Sequence, residues 1–166
     1  MSTPPFSIVS FSREHPKKGF CCGAEILDRY FAEHAGQDIK KKISKCFVAI
    51  DNEQLRVAGF YTLSAAQIPL TSLPELLAKK MPRYDAIPAS KIGRLAIDKR
   101  YQGLGLGSVL IADALKKSSD ASMGVYAVLV DAKDDNATAF YQHHGFIPCL
   151  GKPQTLFLPL GTIGKL

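Results

Sequence analysis

The chain has 166 residues, room for one domain with a real core and little more, and it reads as a single domain over residues 1–166. Hydrophobic residues make up 46% and charged ones 22%, which excludes a disordered chain, and no apolar run approaches the length of a membrane span. Lysine and arginine number 21 against 15 acids, a net charge of +6 that favours a polyanionic partner.

The first residues, Met1-Ser2-Thr3-Pro4-Pro5, lack the charged and apolar regions of a secretory signal. Residues 6–11 predict a strand. Residues 25–38 predict a helix with Ile26, Leu27, Tyr30 and Phe31 on one face. Residues 45–50 and 55–64 predict strands, with Asp51-Asn52-Glu53-Gln54 turning between them. Thr71 or Ser72 is expected to cap a short helix near residues 74–80, followed by an exposed loop over residues 81–88. Residues 91–97 predict a strand, residues 109–115 a helix, and residues 124–130 a further strand. A short helix then opens at Asp134 or Asp135 and closes at Gly145, and strands over residues 146–150 and 154–158 end the series. Cys21, Cys22, Cys46 and Cys149 contain no Cys-x-x-Cys pair, so reduced, mostly buried thiols of a cytosolic protein are expected. His15, His34, His143 and His144 show no metal-ligand spacing, and no metal site is expected.

The most informative stretch joins the 91–97 strand to the next helix. Gly103, Gly105 and Gly107 alternate there. Glycine lets a backbone approach a phosphate closely, and the N–H groups opening a helix lie at the positive end of its dipole, so a strand, glycine turn and helix make an anion site. Gly107-Ser108-Val109 lacks the lysine of a P-loop, and the glycines miss the Gly-x-Gly-x-x-Gly spacing of a dinucleotide fold. The pattern that fits is Arg/Gln-x-x-Gly-x-Gly/Ala, met by Arg100, Gly103 and Gly105. A tight connection with no ligand is the alternative on spacing alone.

That loop resembles the pyrophosphate loop of the GCN5-related N-acetyltransferases (GNAT), which bind acetyl-coenzyme A. The helix with Asn136, Ala139, Phe140, Tyr141, Gly145 and Phe146 looks like the late helix of the same enzymes. The resemblance implies an α/β GNAT acyl-CoA N-acyltransferase fold: a mixed, mostly antiparallel sheet with splayed central strands, flanked by helices. It implies cofactor contacts from Leu95, Ala96, Ile97, Arg100, Gln102, Gly103, Leu104, Gly105, Leu106, Gly107, Ser108, Asn136 and Phe140. A backbone N–H near residues 95–97 would hold the developing oxyanion, and Tyr141 would protonate the leaving thiolate. Without the loop, Tyr141 reads instead as a core tyrosine whose hydroxyl bonds the backbone.

Residues 20–31, Cys46-Phe47-Val48-Ala49-Ile50, Gly59-Phe60-Tyr61 and Gly93-Arg94-Leu95-Ala96 resemble, more narrowly, the acetyltransferase toxins of bacterial type II toxin–antitoxin modules. The likeness covers almost the whole chain from Phe11; Cys21 and Cys22 depart from it and are read as core substitutions. It implies acetylation of the α-amino group of aminoacyl-tRNA and inhibition of translation. It also implies a cytoplasmic bacterial location, a homodimer and a ribbon-helix-helix antitoxin through which operator DNA is bound. Lys40, Lys41, Lys42 and Lys45, then Lys79, Lys80, Arg83 and Arg94, are the expected tRNA contacts, although lysines in a last helical turn also simply complement the dipole.

No general base stands at a fixed motif position. An α-amino group of pKa ~7.7 is about 17% neutral at pH 7, a lysine of ~10.4 about 0.04%, so the former needs less help. Acetylation of a small-molecule or protein amine, and a non-catalytic CoA-binding or DNA-binding module, remain the alternatives.

Overall fold

In the computed structural model, which describes residues 5–161, strands hydrogen-bond in the order β1-β2-β3-β4-β5-β7-β6. They are β1 (Phe6–Ser10), β2 (Lys45–Asp51), β3 (Arg56–Pro69), β4 (Ala86–Ile97), β5 (Ala127–Asp131), β6 (Ile147–Cys149) and β7 (Lys152–Pro159). The helices are α1 (Glu25–Arg29), α2 (Ala35–Lys40), α3 (Glu75–Ala78), α4 (Leu106–Ser119) and α5 (Asp135–His143), with a π-helical turn, Tyr30–His34, joining α1 to α2. Residues 1–4, on which most of the leader reading rests, lie outside the described residues. No helix among the described residues is long and apolar enough to cross a membrane.

The chain forms two compact units. One comprises the chain up to Ser64 together with Gly93–Ala114. Here β2 pairs antiparallel with β1 and with β3. Its core joins Tyr30, Phe31 and Ala35 to Cys46, Val48, Val57, Phe60 and Ala96. Phe31 stacks on Phe60 with ring centroids 4.5 Å apart, and Phe11 and Phe20 pack on Phe31 at 4.9 and 5.0 Å. Burying a ring of that size contributes about 2–3 kcal/mol. The expected apolar helix face needs one correction: Ile26 is 81% exposed. The buried stripe runs through Leu27, Tyr30, Phe31 and Ala35, and Ile26 sits one residue, about 100°, off it.

The other unit comprises Ala65–Ile92 and the chain from Leu115 on. There β4 and β5 pair in parallel from Ala89 to Ile92, β7 pairs antiparallel with β5, and β6 with β7. Ile68, Leu73, Ile87, Ala89, Ala127, Leu129, Cys149 and Phe157 form its core. The Ser90 and Ser118 hydroxyls satisfy one another at 2.6 Å inside it. Two local readings change. Neither Thr71 nor Ser72 caps α3: both lie in a 3-10 turn, and Pro74, which fixes its own φ, occupies the N-cap without a side-chain bond. The loop over residues 81–88 is shorter than expected, because β4 begins at Ala86 and Ile87 is buried.

Candidate active site

The glycine turn is assembled from the end of β4 onward. Asp98 closes the strand, its N–H donating to the Ala58 carbonyl at 2.8 Å, and its side chain caps the 3-10 turn Lys99–Tyr101. Gly103 and Gly105 each take φ +81, a left-handed conformation that disfavours side chains, and a Cβ on either would meet nothing within 4 Å. That leaves open ground for a ligand against the main chain. The first turn of α4 follows at Leu106 and directs its N–H groups out of the helix end. Leu106, Leu110, Ile111 and Ala114 hold α4 down by one buried face, while Leu104 at the loop tip is exposed. The residues present therefore fit a pyrophosphate: main-chain donors, a helix dipole and open space beside Gly103 and Gly105.

Two acid–tyrosine pairs, one buried and one part-buried, fix this frame. Tyr61 donates to Asp113 of α4 at 2.6 Å, and burial raises the tyrosine's pKa. Tyr101 donates to Asp51, which also accepts the Glu53 and Gln54 N–H groups at 2.9 and 3.1 Å and so shapes the β2–β3 turn. Gly59 completes the packing, since a Cβ there would lie 2.9 Å from Ile97 Cδ1 and 3.0 Å from the Ala96 carbonyl.

Three motif residues use their side chains differently from the expectation. Arg100 forks onto Asp98, Nε to Oδ1 and Nη2 to Oδ2, each at 2.9 Å. Gln102 donates its amide to the carbonyls of Cys22 and Ile97 at 2.9 Å. Ala96 is buried in the core, so only its main chain is available. The cysteine reading changes in part: Cys21 is exposed and bonds through its main chain to Asp98 and Lys99, whereas Cys22 is half-buried and packs with Phe20 against the core. Cys46 and Cys149 are buried, and burial pushes the Cys46 thiol up to about 12.

In the other unit, Asp134 caps α5, accepting the Ala137 N–H at 2.8 Å. Gly145 at φ +91 ends it, with Phe146 N–H returning to the Tyr141 carbonyl at 3.1 Å. Tyr141 is 8% exposed, with the Phe140 and Phe146 rings edge-on at 5.4 Å. Among the described residues its hydroxyl makes no hydrogen bond, and burial pushes its pKa up to about 12. Asn136 lies exposed on the first turn of α5, and Phe140 is half-buried against His144 at 4.7 Å.

The basic residues separate. Lys40 ends α2, Lys41 caps it and Lys42 turns left-handed at φ 63; all three, like Lys45, are exposed. Lys79 lies 3.4 Å from Glu75, whereas Lys80 and Arg83 are exposed. The Arg94 guanidinium carbon lies over the Tyr30 ring, 3.7 Å from its centroid, and Tyr30 donates to Asp38 at 2.7 Å. Sequence reasoning missed the pairings of Asp98, Asp113 and Asp51 and this stack. Asp98, two residues before the motif arginine, and Asp51, at the head of the predicted turn, carried local signals.

Comparison with known proteins bears on the whole chain. The acetyltransferase (GNAT) domain matches residues 81–156. A probable toxin TacT of Sinorhizobium fredii is 30% identical over 161 residues, 92% of this chain and 89% of that protein. A tRNA-acetylating toxin of Mycobacterium tuberculosis is 37% identical over 129 residues, 76% of this chain and 75% of that one. AtaT complexed with acetyl-methionyl-tRNAfMet superposes with TM-score 0.89 at 30% identity, covering 96% of this chain and 98% of that one. A tyrosine-to-phenylalanine mutant of AtaT, bound to the C-terminus of the antitoxin AtaR and acetyl-CoA, gives TM-score 0.80 at 27% identity, covering 98% of each chain. A KacTA–DNA complex gives 0.79 at 28% identity over 96% of each. With likeness at that level along nearly the full length, and an acetyltransferase domain across the glycine turn, the chain belongs to the acetyltransferase toxins of the GNAT family, alongside TacT.

Proposed function

We propose that this protein is the toxin of a type II toxin–antitoxin module that acetylates the α-amino group of aminoacyl-tRNA from acetyl-CoA and so stops translation. The observation that carries the reading is the match of nearly the whole chain to a toxin solved with an acetylated aminoacyl-tRNA.

Acetyl-CoA supplies an acetyl thioester. The chain's own parts do the rest. The main chain of Gly103, Leu104, Gly105, Leu106, Gly107 and Ser108 binds the pyrophosphate, and Asn136 and Phe140 receive the pantetheine arm. An N–H of Leu95, Ala96 or Ile97 opposes the negative charge that develops as the amine nitrogen attacks. Tyr141, like any tyrosine, keeps its proton at neutral pH, and burial raises its pKa further, so it serves as donor to the departing sulfur and not as base. A phenol near 12 is a weak donor to an ordinary thiolate of ~8.5, but the same apolar setting raises the thiolate's proton affinity too. The proton released by the acetylated amine goes to water, which suits an α-amino group already partly neutral at pH 7.

Exposed Lys40, Lys41, Lys42, Lys45, Lys80 and Arg83, with Lys79 and stacked Arg94, supply the positive surface for tRNA phosphates. The toxin works in the cytoplasm as a homodimer, neutralised by a ribbon-helix-helix antitoxin through which the pair binds operator DNA; relatives solved with antitoxin and with DNA support those partners.

The test is incubation with labelled acetyl-CoA and pooled aminoacyl-tRNA, followed by RNA digestion and mass spectrometry for N-acetyl-aminoacyl-adenosine. Label that disappears when the tRNA is deacylated first establishes the reading and names the amino acid. No label, with acetyl-CoA binding intact, moves the acceptor to a small-molecule or protein amine.

A further inference from the structure

Residues 20–24 precede α1 and are laced to the entry of the glycine turn. Cys21 N–H donates to Asp98 Oδ2 at 3.0 Å, and Lys99 N–H donates to the Cys21 carbonyl at 2.8 Å. The Gln102 amide bridges the Cys22 and Ile97 carbonyls. Gly23 takes φ +98, and a Cβ there would lie 3.0 Å from Lys99 Cε, so the two segments touch.

Asp98 is the knot. Its side chain is 2% exposed, and its two oxygens accept from Cys21 N, Arg100 N, Arg100 Nε and Arg100 Nη2. Burial alone would raise its pKa; the Arg100 guanidinium and the Arg100 and Cys21 N–H groups outweigh burial and hold it at about 2. Protonation would convert one acceptor oxygen into a donor facing N–H groups, so the arrangement requires the charge. The partner of that charge matters equally. A bare carboxylate at the start of an anion-binding turn would repel a phosphate, and the Arg100 fork neutralises it.

We propose that Asp98 is a positioning residue for the phosphate turn. Its carboxylate ties residues 20–24 to the turn and, with Gln102, fixes Arg100 and the main-chain N–H groups of the loop before the cofactor arrives. This rests on the reading of residues 103–108 as the pyrophosphate site, and it makes Arg100 an orienting group rather than an unpaired cation for phosphate.

The test compares acetyl-CoA with S-acetylpantetheine, which keeps the thioester and lacks the pyrophosphate. Asp98→Asn preserves shape and removes the charge. The expected result is a KM for acetyl-CoA raised at least tenfold with kcat within threefold, and a tenfold fall in the ratio of kcat/KM for acetyl-CoA over acetylpantetheine. A merely structural role lowers both substrates together and leaves the ratio unchanged, which overturns the proposal. So does tighter binding of acetyl-CoA, the outcome if Asp98 only sequesters a phosphate-binding Arg100. If Asp98→Asn does not fold, Gln102→Ala, an exposed site, is expected to lower the ratio threefold, and an unchanged ratio overturns the proposal. Wild-type protein that does not prefer acetyl-CoA to acetylpantetheine overturns the phosphate-site reading and this proposal with it.

Discussion

The glycine turn and the Tyr141 site are made of opposite materials. The turn is polar, partly exposed and built from main chain, and its one buried charge, Asp98, is saturated with donors. Tyr141 sits among aromatic rings with no polar partner for its hydroxyl among the described residues. The difference matches the two tasks proposed for them. Holding a phosphate takes several N–H groups in fixed positions, which a backbone supplies whatever side chains it carries. Moving a proton takes one atom of the right acidity, which only a side chain supplies.

The sharpest way to break that contrast is Tyr141→Phe. Steady-state kinetics should show kcat lower by about 10²- to 10⁴-fold, with KM for acetyl-CoA within about twofold. The melting temperature should barely move, because no protein hydrogen bond to the hydroxyl is lost; normal turnover would remove Tyr141 from the chemistry.

Next in size is the acid response of the turn. Asp98 has a folded pKa of about 2 against an ordinary 3.8, so between those values the unfolded chain binds more protons. The stability this contributes, about 2 kcal/mol, is therefore present above about pH 4 and lost as pH falls through 2. Denaturant melts from about pH 5 to about pH 2 should show a steeper loss in wild type than in Asp98→Asn; parallel slopes would mean that the pair is not formed in solution.

A smaller effect separates packing from ligand binding in the turn's own unit. Gly59→Ala drives a Cβ to 2.9 Å from Ile97 Cδ1 and 3.0 Å from a backbone carbonyl, which should cost about 1–3 kcal/mol in denaturant unfolding. Gly105→Ala meets no atom and should cost only the strain of a left-handed alanine, about 1 kcal/mol, while raising KM for acetyl-CoA. If Gly105→Ala proves the costlier of the two in stability, the open ground around the turn does not exist.

Much of this was legible in local chemistry. The alternation of Gly103 and Gly105 after Arg100 announced left-handed turns at a helix start, and Asp134 or Asp135 and Gly145 bracketed α5 as cap and stop, because those conformations depend on the residue itself and its immediate neighbours; the structure selects Asp134. Helix faces were read less well: Ile26 looked buried by spacing and is exposed, since the width of a buried stripe depends on what packs against it. Tertiary structure alone placed Asp98 against Cys21, Tyr61 against Asp113 and Arg94 on Tyr30, partners 77, 52 and 64 residues apart in the chain. No periodicity encodes such pairings. Sequence by itself decided where the backbone can turn and what charge it can greet; the fold decided which buried carboxylate keeps that turn in shape, because the pairing of a buried charge is a property of its surroundings and not of its neighbours along the chain.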